Sequence, residues 1–528
     1  MPKWTRITYP LFILSILLAA CSPSAAPTEA PYVTVVETVV VQSYVEGESV
    51  TVLEEPASES SSYTPPPATQ AAEPPPDNYF DNYGINPFTD TGEDHLSTFA
   101  IDVDTASYNI AQGYLNNGQV PPADSVRVEE FINAIDGGYP TPAGVAFGIY
   151  ADGSPGPFDY DGTHLLRIGI QGYEVSEWER KPANLTFVID VSGSMDRENR
   201  LGLVKRSLQM LVERLRPEDR VAIVVYGSEA RVALYPTSGA EHATILAAIY
   251  SLQPEGSTNA EAGLRLGYQV AASAFRDDGI NRIVLCSDGV ANVGKTSPTE
   301  ILKTVSHEAS RGITLTSVGF GMGNYNDVLM EQLADNGNGH YAYIDTLDQA
   351  HELFVENLTS TLQVIALDAK VQVDFNNDVV VRYRLVGYEN RDVADNDFRN
   401  NAVDGGEIGA GHSVTALYAI QFWPEAEGRI ATVSLRWQDP DTYQIREVNG
   451  NVNTWDLAPR FEQASAHFQF VVLMAEYAEI LRHSPWATPS ELRGIHNHSL
   501  RIQNLLDGNQ DIYEFSEMVS KTFGLLGW

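Results

Sequence analysis

Oxygen-bearing side chains gather at three points where an apolar run gives way to a loop. The run Leu185 to Ile189 ends in Asp190-Val191-Ser192-Gly193-Ser194-Met195, which puts one carboxylate and two hydroxyls just past a strand. Pro254-Glu255-Gly256-Ser257-Thr258-Asn259 precedes a helix, and Leu285-Cys286-Ser287-Asp288-Gly289 closes a later strand. Ligand sites of open α/β sheets lie at the C-terminal edge of the strands, so these three loops would supply Asp, Ser, Ser, Thr and Asp oxygens at one edge. A lone Asp-x-Ser-x-Ser is a weak signal, because Asp and Ser also build turns by bonding their own backbone. Five such residues at fitting spacing are a much stronger one.

Other motifs offer competing chemistry, and each lacks a part. Asp102-Val103-Asp104-Thr105 superficially resembles the nucleophile loop of haloacid dehalogenase-like phosphatases, but its threonine comes one position early, and a structural turn is expected there. Gly319-Phe-Gly-Met-Gly-Asn follows a strand like a dinucleotide fingerprint, yet Asn324 stands where the third glycine is needed for close helix approach. His496 and His498, with His483 nearby, have no accompanying cysteine, and residues two apart do not share a helix face. Cys286 sits in an apolar strand as a packing residue. No Ser/His/Asp order, Cys/His pair or paired-carboxylate signature stands out, so no catalytic residue is assigned and the chain is expected not to be an enzyme.

The elements that must position the oxygen set are legible as periodicity. Runs at Leu185 to Ile189, Val221 to Tyr226, Arg282 to Leu285 and Ile313 to Val318 are short, apolar and bounded by turns, as buried parallel strands are. Between them, Leu201, Val204, Leu208, Leu211 and Leu215 share one helical face, as do Leu264, Tyr268, Ala271 and Phe275. Ser297-Pro298-Thr299-Glu300 has a cap residue, a proline at the first helical position and a capping-box Glu. The alternation predicts an α/β fold, a doubly wound and mostly parallel sheet, over residues 174–363.

On either side the pattern changes. Residues 79–173 carry strand-like runs at Phe99 to Val103 and Leu165 to Ile170 around a short helix at Val126 to Ile135, and are expected as an N-terminal α/β module. Residues 364–528 alternate like antiparallel strands at Val371 to Val373, Val379 to Leu385, Val414 to Phe422 and Ile430 to Trp437. A helix with Phe461, Ala464, Phe468, Val471 and Ala475 on one face follows, giving a β-rich C-terminal module with helices.

The oxygen set resembles the metal-ion-dependent adhesion site of von Willebrand factor A domains, whose Asp-x-Ser-x-Ser, Thr and Asp elements come in this order. The resemblance implies that Ser192, Ser194 and Thr258 coordinate a divalent metal directly, with Asp190 and Asp288 acting largely through water. Mg2+ is the implied ion, with Mn2+ or Ca2+ as alternatives, since Mg2+ prefers octahedral oxygen coordination. Neutral hydroxyl ligands leave such an ion electrophilic, so a carboxylate from a protein partner could complete its sphere. Phe99-Ala-Ile-Asp-Val-Asp-Thr-Ala-Ser-Tyr, Arg127-Val-Glu-Glu-Phe-Ile-Asn, Gly387-Tyr-Glu-Asn-Arg and Gly409-Ala-Gly-His-Ser-Val-Thr-Ala-Leu-Tyr extend the likeness to a family of bacterial lipoproteins with modules on both sides of an A domain.

The first residues fit that likeness. Lys3 and Arg6 precede an apolar stretch from Leu11 to Ala20, too short to span a bilayer as a mature helix, so residues 1–20 read as a secretory signal. Leu18-Ala19-Ala20-Cys21 resembles a lipobox, which implies that Cys21 becomes a lipid-modified N-terminus. With Cys21 acylated, Cys286 has no partner for an intramolecular disulfide. Residues 21–78, rich in Pro, Ser, Thr and Glu, cannot bury enough apolar surface to order themselves and are expected as a tether, apart from the Val-rich stretch Val33 to Leu53 with its strand propensity. The net charge of -37 repels phosphate backbones, so nucleic acid is excluded as a partner while cations and basic partners are favoured. The resulting expectation is an extracytoplasmic protein, lipid-anchored to an outer membrane or cell surface, that binds a protein through a metal. An envelope hydrolase and a metal-independent scaffold are the alternatives. Cys21→Ser should leave the precursor unprocessed and without lipid; a processed, membrane-bound variant on fractionation and mass analysis would refute the anchor.

Overall fold

The computed structural model describes residues 37–39, 78–158, 162–197, 200–289, 298–321 and 325–526. Its centre is a six-stranded sheet of β1 (Ala183–Asp190), β2 (Arg220–Tyr226), β3 (Ala230–Ser238), β4 (Ile280–Ser287), β5 (Thr314–Phe320) and β6 (Tyr341–Ile344), in the order β6-β5-β4-β1-β2-β3. All neighbours pair in parallel except β3, which returns antiparallel to β2. Both faces are covered, which is why the strands read as continuous apolar runs rather than alternating ones. Helices α1 (Leu201–Arg214) and α2 (His242–Ser251) pack on one face, and α3 (Ala260–Ser273), α4 (Pro298–Ala309) and α5 (Asp327–Asp335) on the other. This is the von Willebrand factor A-like α/β fold. Phe275 lies beyond the end of α3 and is partly exposed, because the helix stops at Ser273 two residues short of the expected apolar stripe. Helix α4 begins at Pro298, while its expected cap Ser297 lies outside the described residues.

The flanking segments share two sheets rather than forming separate bodies. In one sheet, Phe147–Pro155 and His164–Gly172 from before the central domain join Ser413–Phe422 and Val380–Val386 from after it. In the other, Leu96–Ala100 pairs antiparallel with Val364–Phe375, which also pairs with Arg429–Gln438. Apolar residues from both segments make one core between the sheets, with Ile149, Ile168 and Ile170 beside Val371, Ala416 and Leu435. The central domain is therefore inserted into a sandwich closed from both sides. A helical core adjoins it, where Ala106–Asn116 and Val128–Asn133 meet Ala466–Leu481, Leu492–Gln503 and Gln510–Leu526. The helix expected from Phe461 starts instead at Ala466, because the Ser465 hydroxyl accepts from the Phe468 amide and caps it. Phe461 falls in a preceding single turn and is still buried. Within the stretch expected as a tether, Glu37–Val39 pairs antiparallel with Ile445–Asn453. The signal segment 1–20, Cys21 and the rest of the tether up to residue 77 lie outside the described residues.

Charge, not only apolar packing, fixes the central domain in its frame. Arg127 donates to Glu130 at 2.6 Å, and pairs with Glu331 at 2.9 Å and with Asp327 of α5. Arg391 reaches Asp102 at 2.9 Å, Asp104 at 3.4 Å, Glu331 at 3.2 Å and Asp335 at 3.0 Å. The Asp102-x-Asp104 motif is thus a buried turn that holds an arginine and accepts the Tyr341 amide at 2.8 Å. Burial pushes the Glu331 carboxyl up to about 8, with Asp335 and Asp327 adding to it against the pull of Arg127 and Arg391. Removing one partner of a buried charge set leaves uncompensated charge behind, which costs more than the pair gained. Arg391→Met should therefore destabilise the protein by about 3 to 5 kcal/mol in urea unfolding; a loss within error of zero would show that the network does not carry the junction.

Candidate metal site

All five residues of the oxygen set lie at the C-terminal edge of the central sheet, Asp190 at a strand end and the other four beyond strands. Asp190 is the last residue of β1 and is fully buried. Its Oδ1 accepts from the Ser192 amide at 2.8 Å, a local turn that swings the next residues over the edge. The Ser192 and Ser194 hydroxyl oxygens stand 3.0 Å apart. Asp288 follows β4, is also buried, and interacts with the Ser194 hydroxyl. Pairing of β1 with β4 brings the two carboxylate-bearing ends together, and the Ser287 hydroxyl donates to Asp190 Oδ2 at 3.2 Å.

Thr258 is half-buried on the second loop, just ahead of α3. That loop is tied to the first by backbone bonds, from the Gly193 amide to the Gly256 carbonyl at 3.1 Å and from the Glu255 amide to the Val191 carbonyl. Gly256 takes φ of +72°, and a Cβ there would stand 2.4 Å from the Ser228 hydroxyl, so the turn requires glycine. Asn259 accepts from the Ala262 amide and caps α3. Among the described residues the Thr258 hydroxyl forms no hydrogen bond to the other four. The structure thus brings Asp190, Ser192, Ser194 and Asp288 into one connected cluster and sets Thr258 on a loop fastened beside it.

Two side chains at this edge have no place in the sequence reading. Ser287 was visible only as a neighbour of Asp288. Arg200, buried at the start of α1, donates to the Asp288 carboxylate and, at 2.8 Å, to the Ser194 carbonyl. It lies in a polar stretch between loop and helix where no periodicity marks it.

Electrostatics follow from burial. Asp190 is pushed up to about 6 by desolvation, opposed by hydrogen bonds from Ser192 and reinforced by Asp288. Burial also raises Asp288, against the pull of Arg200 and the Ser194 hydroxyl. The donor set fits a small hard cation. With metal–oxygen distances near 2.0 to 2.1 Å, adjacent oxygens of an octahedron lie about 2.8 to 3.0 Å apart, and the two serine hydroxyls, hydrogen-bonded at 3.0 Å, stand within that range. Among the described residues no group of three or more His, Cys, Asp or Glu is placed to hold a metal; this cluster has two carboxylates and completes itself with hydroxyls.

The other motifs resolve into packing. His498 lies edge-on to Phe158 and Phe461. Cys286 is fully buried and its thiol is pushed up by desolvation, which makes it inert. The glycine run after β5 has Met322 to Asn324 outside the described residues, and the next helix is capped by Asn326.

Residues 184–361 match the von Willebrand factor type A domain, residues 74–167 a family described as von Willebrand factor, and residues 360–428 the C-terminal domain of YfbK. The fold and these matches define a protein built around a von Willebrand factor type A domain. It is 34% identical over 475 residues, 82% of each chain, to the uncharacterized protein YfbK of Escherichia coli (strain K12), and it belongs to that protein's family. The uncharacterized protein sll0103 of Synechocystis sp. is 31% identical over 189 residues, covering 36% of this chain and 44% of that one. Among solved structures, a von Willebrand factor type A protein from Catenulispora acidiphila aligns over 72% of this chain and 89% of its own, with a TM-score of 0.41 and 14% identity.

A carboxyl whose pKa is raised in the folded state contributes stability that is full below its ordinary value and is lost as pH rises through the raised one. For Asp190 that window runs from about pH 4 to about 6. In chelator, Asp190→Asn, which keeps an acceptor for the Ser192 amide, should be about 1 to 3 kcal/mol more stable than the native chain at pH 8, and the two should converge near pH 4. Unfolding curves at the two pH values decide this; equal stability at pH 8 would contradict the burial argument.

Proposed function

We propose that Asp190, Ser192, Ser194, Thr258 and Asp288 hold a divalent cation, Mg2+ with Mn2+ or Ca2+ as alternatives, and that the A domain uses it to take a carboxylate from a partner protein. The observation that carries this reading is the pair of serine oxygens 3.0 Å apart beside two buried carboxylates at a loop-built sheet edge. Membership of the A-domain family supports it, since such domains often bind partners through a metal at this motif. When bound, the ion supplies an electrophilic coordination position for the partner's carboxylate. Ser192 and Ser194 offer neutral lone pairs, while Asp190 and Asp288 supply charge from positions fixed by strand ends. Without a cation, the same carboxylate meets two like charges. The sheet core does not depend on these oxygens, so loss of metal leaves the fold in place.

The reading makes the protein a binding module rather than an envelope hydrolase, because the serine hydroxyls and carboxylates at this edge are taken up in holding the ion. A metal-independent scaffold would bind its partner equally well in chelator. Cys21 lipidation, with the tether, would place the module outside the cytoplasm on a membrane.

Calorimetry with Mg2+ and Mn2+ on the full chain tests the site. Asp190→Ala and Thr258→Ala should each lower metal affinity by roughly tenfold or more, and Asn259→Ala by less. Chelator and either variant should abolish partner capture from a detergent extract. Capture by Asp190→Ala in chelator at the native level would sink the mechanism.

A further inference from the structure

A guanidinium is built into the oxygen cluster, and the metal reading makes no use of it. Arg200 is 2% exposed and bonds both the Asp288 carboxylate and the Ser194 carbonyl, so it touches two of the proposed metal-holding residues. Burying an arginine is costly unless the charge is used or compensated. Asp288 compensates that burial, but a cation next to a cation site is unfavourable for metal binding taken alone.

The charges at the edge can be counted. Asp190 and Asp288 bring two negative charges and Arg200 one positive. Of the neighbouring groups, Arg197 also acts on Asp288, Glu255 is paired with Arg231 at 3.0 Å, and Glu261 lies in the first turn of α3. With a dication bound, the core of two aspartates and Arg200 carries one net positive charge. Without Arg200 it would be neutral, and the metal's open position alone would have to favour a carboxylate over an amide.

We infer that Arg200 tunes the specificity of this site: it loosens the hold on the metal and, in exchange, sharpens the preference of the metal-loaded edge for an anionic carboxylate. The inference rests on the proposed metal site. A purely structural Arg200, serving only to pin the Ser194 loop to α1, would on removal weaken metal and ligand together. The charge role moves them in opposite directions.

The test uses the full chain as native protein, Arg200→Gln and Arg200→Lys. Mn2+ affinity is read by calorimetry, and acetate and acetamide are then titrated into the Mn2+-loaded protein while loss of metal-bound water is followed by proton relaxivity. Arg200→Gln should bind Mn2+ roughly tenfold more tightly and acetate roughly tenfold more weakly, with acetamide unchanged. Arg200→Lys, which keeps the charge, should stay within about threefold of native for both. Parallel losses in Arg200→Gln, or no change in either affinity, would overturn the inference while leaving the metal site standing. If the native chain binds no Mn2+, the site reading itself fails, and this inference with it. Should Arg200→Gln fail to fold, as judged by melting in chelator, Arg200→Met serves as the uncharged variant: tighter Mn2+ with weaker acetate is expected, and parallel losses or no change in either would defeat the proposal.

Discussion

The architecture depends on strands far apart in sequence closing the same sheets. Ser413–Phe422 pairs with His164–Gly172, Val414 opposite Ile170 and Leu417 opposite Arg167, and Val364–Phe375 pairs with Leu96–Ala100. Neither flank can bury its apolar face without the other, since Ile168 and Ile170 need Val414 and Ala416 beside them. The central domain is thereby held at both ends by a body that exists only once the chain has returned. One hydrogen bond shows how close those ends are: the Lys181 amide donates to the Gln363 side-chain oxygen at 2.9 Å.

This closure explains why so much charge is buried at the junction. Three separate stretches meet there, residues 102–130, α5 with Tyr341, and residues 390–391, and six carboxylates share Arg127 and Arg391. Apolar contacts between a domain and its frame tolerate sliding, whereas forked guanidinium bonds fix direction. Burial keeps Glu331 raised there, with the neighbouring Asp335 and Asp327 adding to it against Arg127 and Arg391.

The central domain was the most legible part of the sequence. Short apolar runs bounded by turns located β1, β2, β4 and β5 within a few residues, since burial on both faces leaves that pattern whatever the partners are. The five candidate site residues were visible for a related reason: strand ends fix which loops face the same edge. The shared sandwich was not legible. Alternation in Val414 to Phe422 announces an antiparallel strand but does not name His164–Gly172 as its partner, so the flanks read as two modules. Arg200 was hidden as well, because a buried charge paired across 88 positions to Asp288 looks in sequence like any surface arginine before a helix. The start of the long helix at Ala466 was missed by letting an apolar face outweigh the Ser465 cap.

Because the domain's two chain ends meet at one side of the sheet, with Lys181 beside Gln363, while the oxygen cluster lies at the other, the protein has a defined load path. A pull on anything seated at the cluster crosses the central domain and leaves through two covalent connections at once. One feeds the sheet of His164–Gly172, the other the sheet of Val364–Phe375. Tension is thus divided between the two layers of the sandwich.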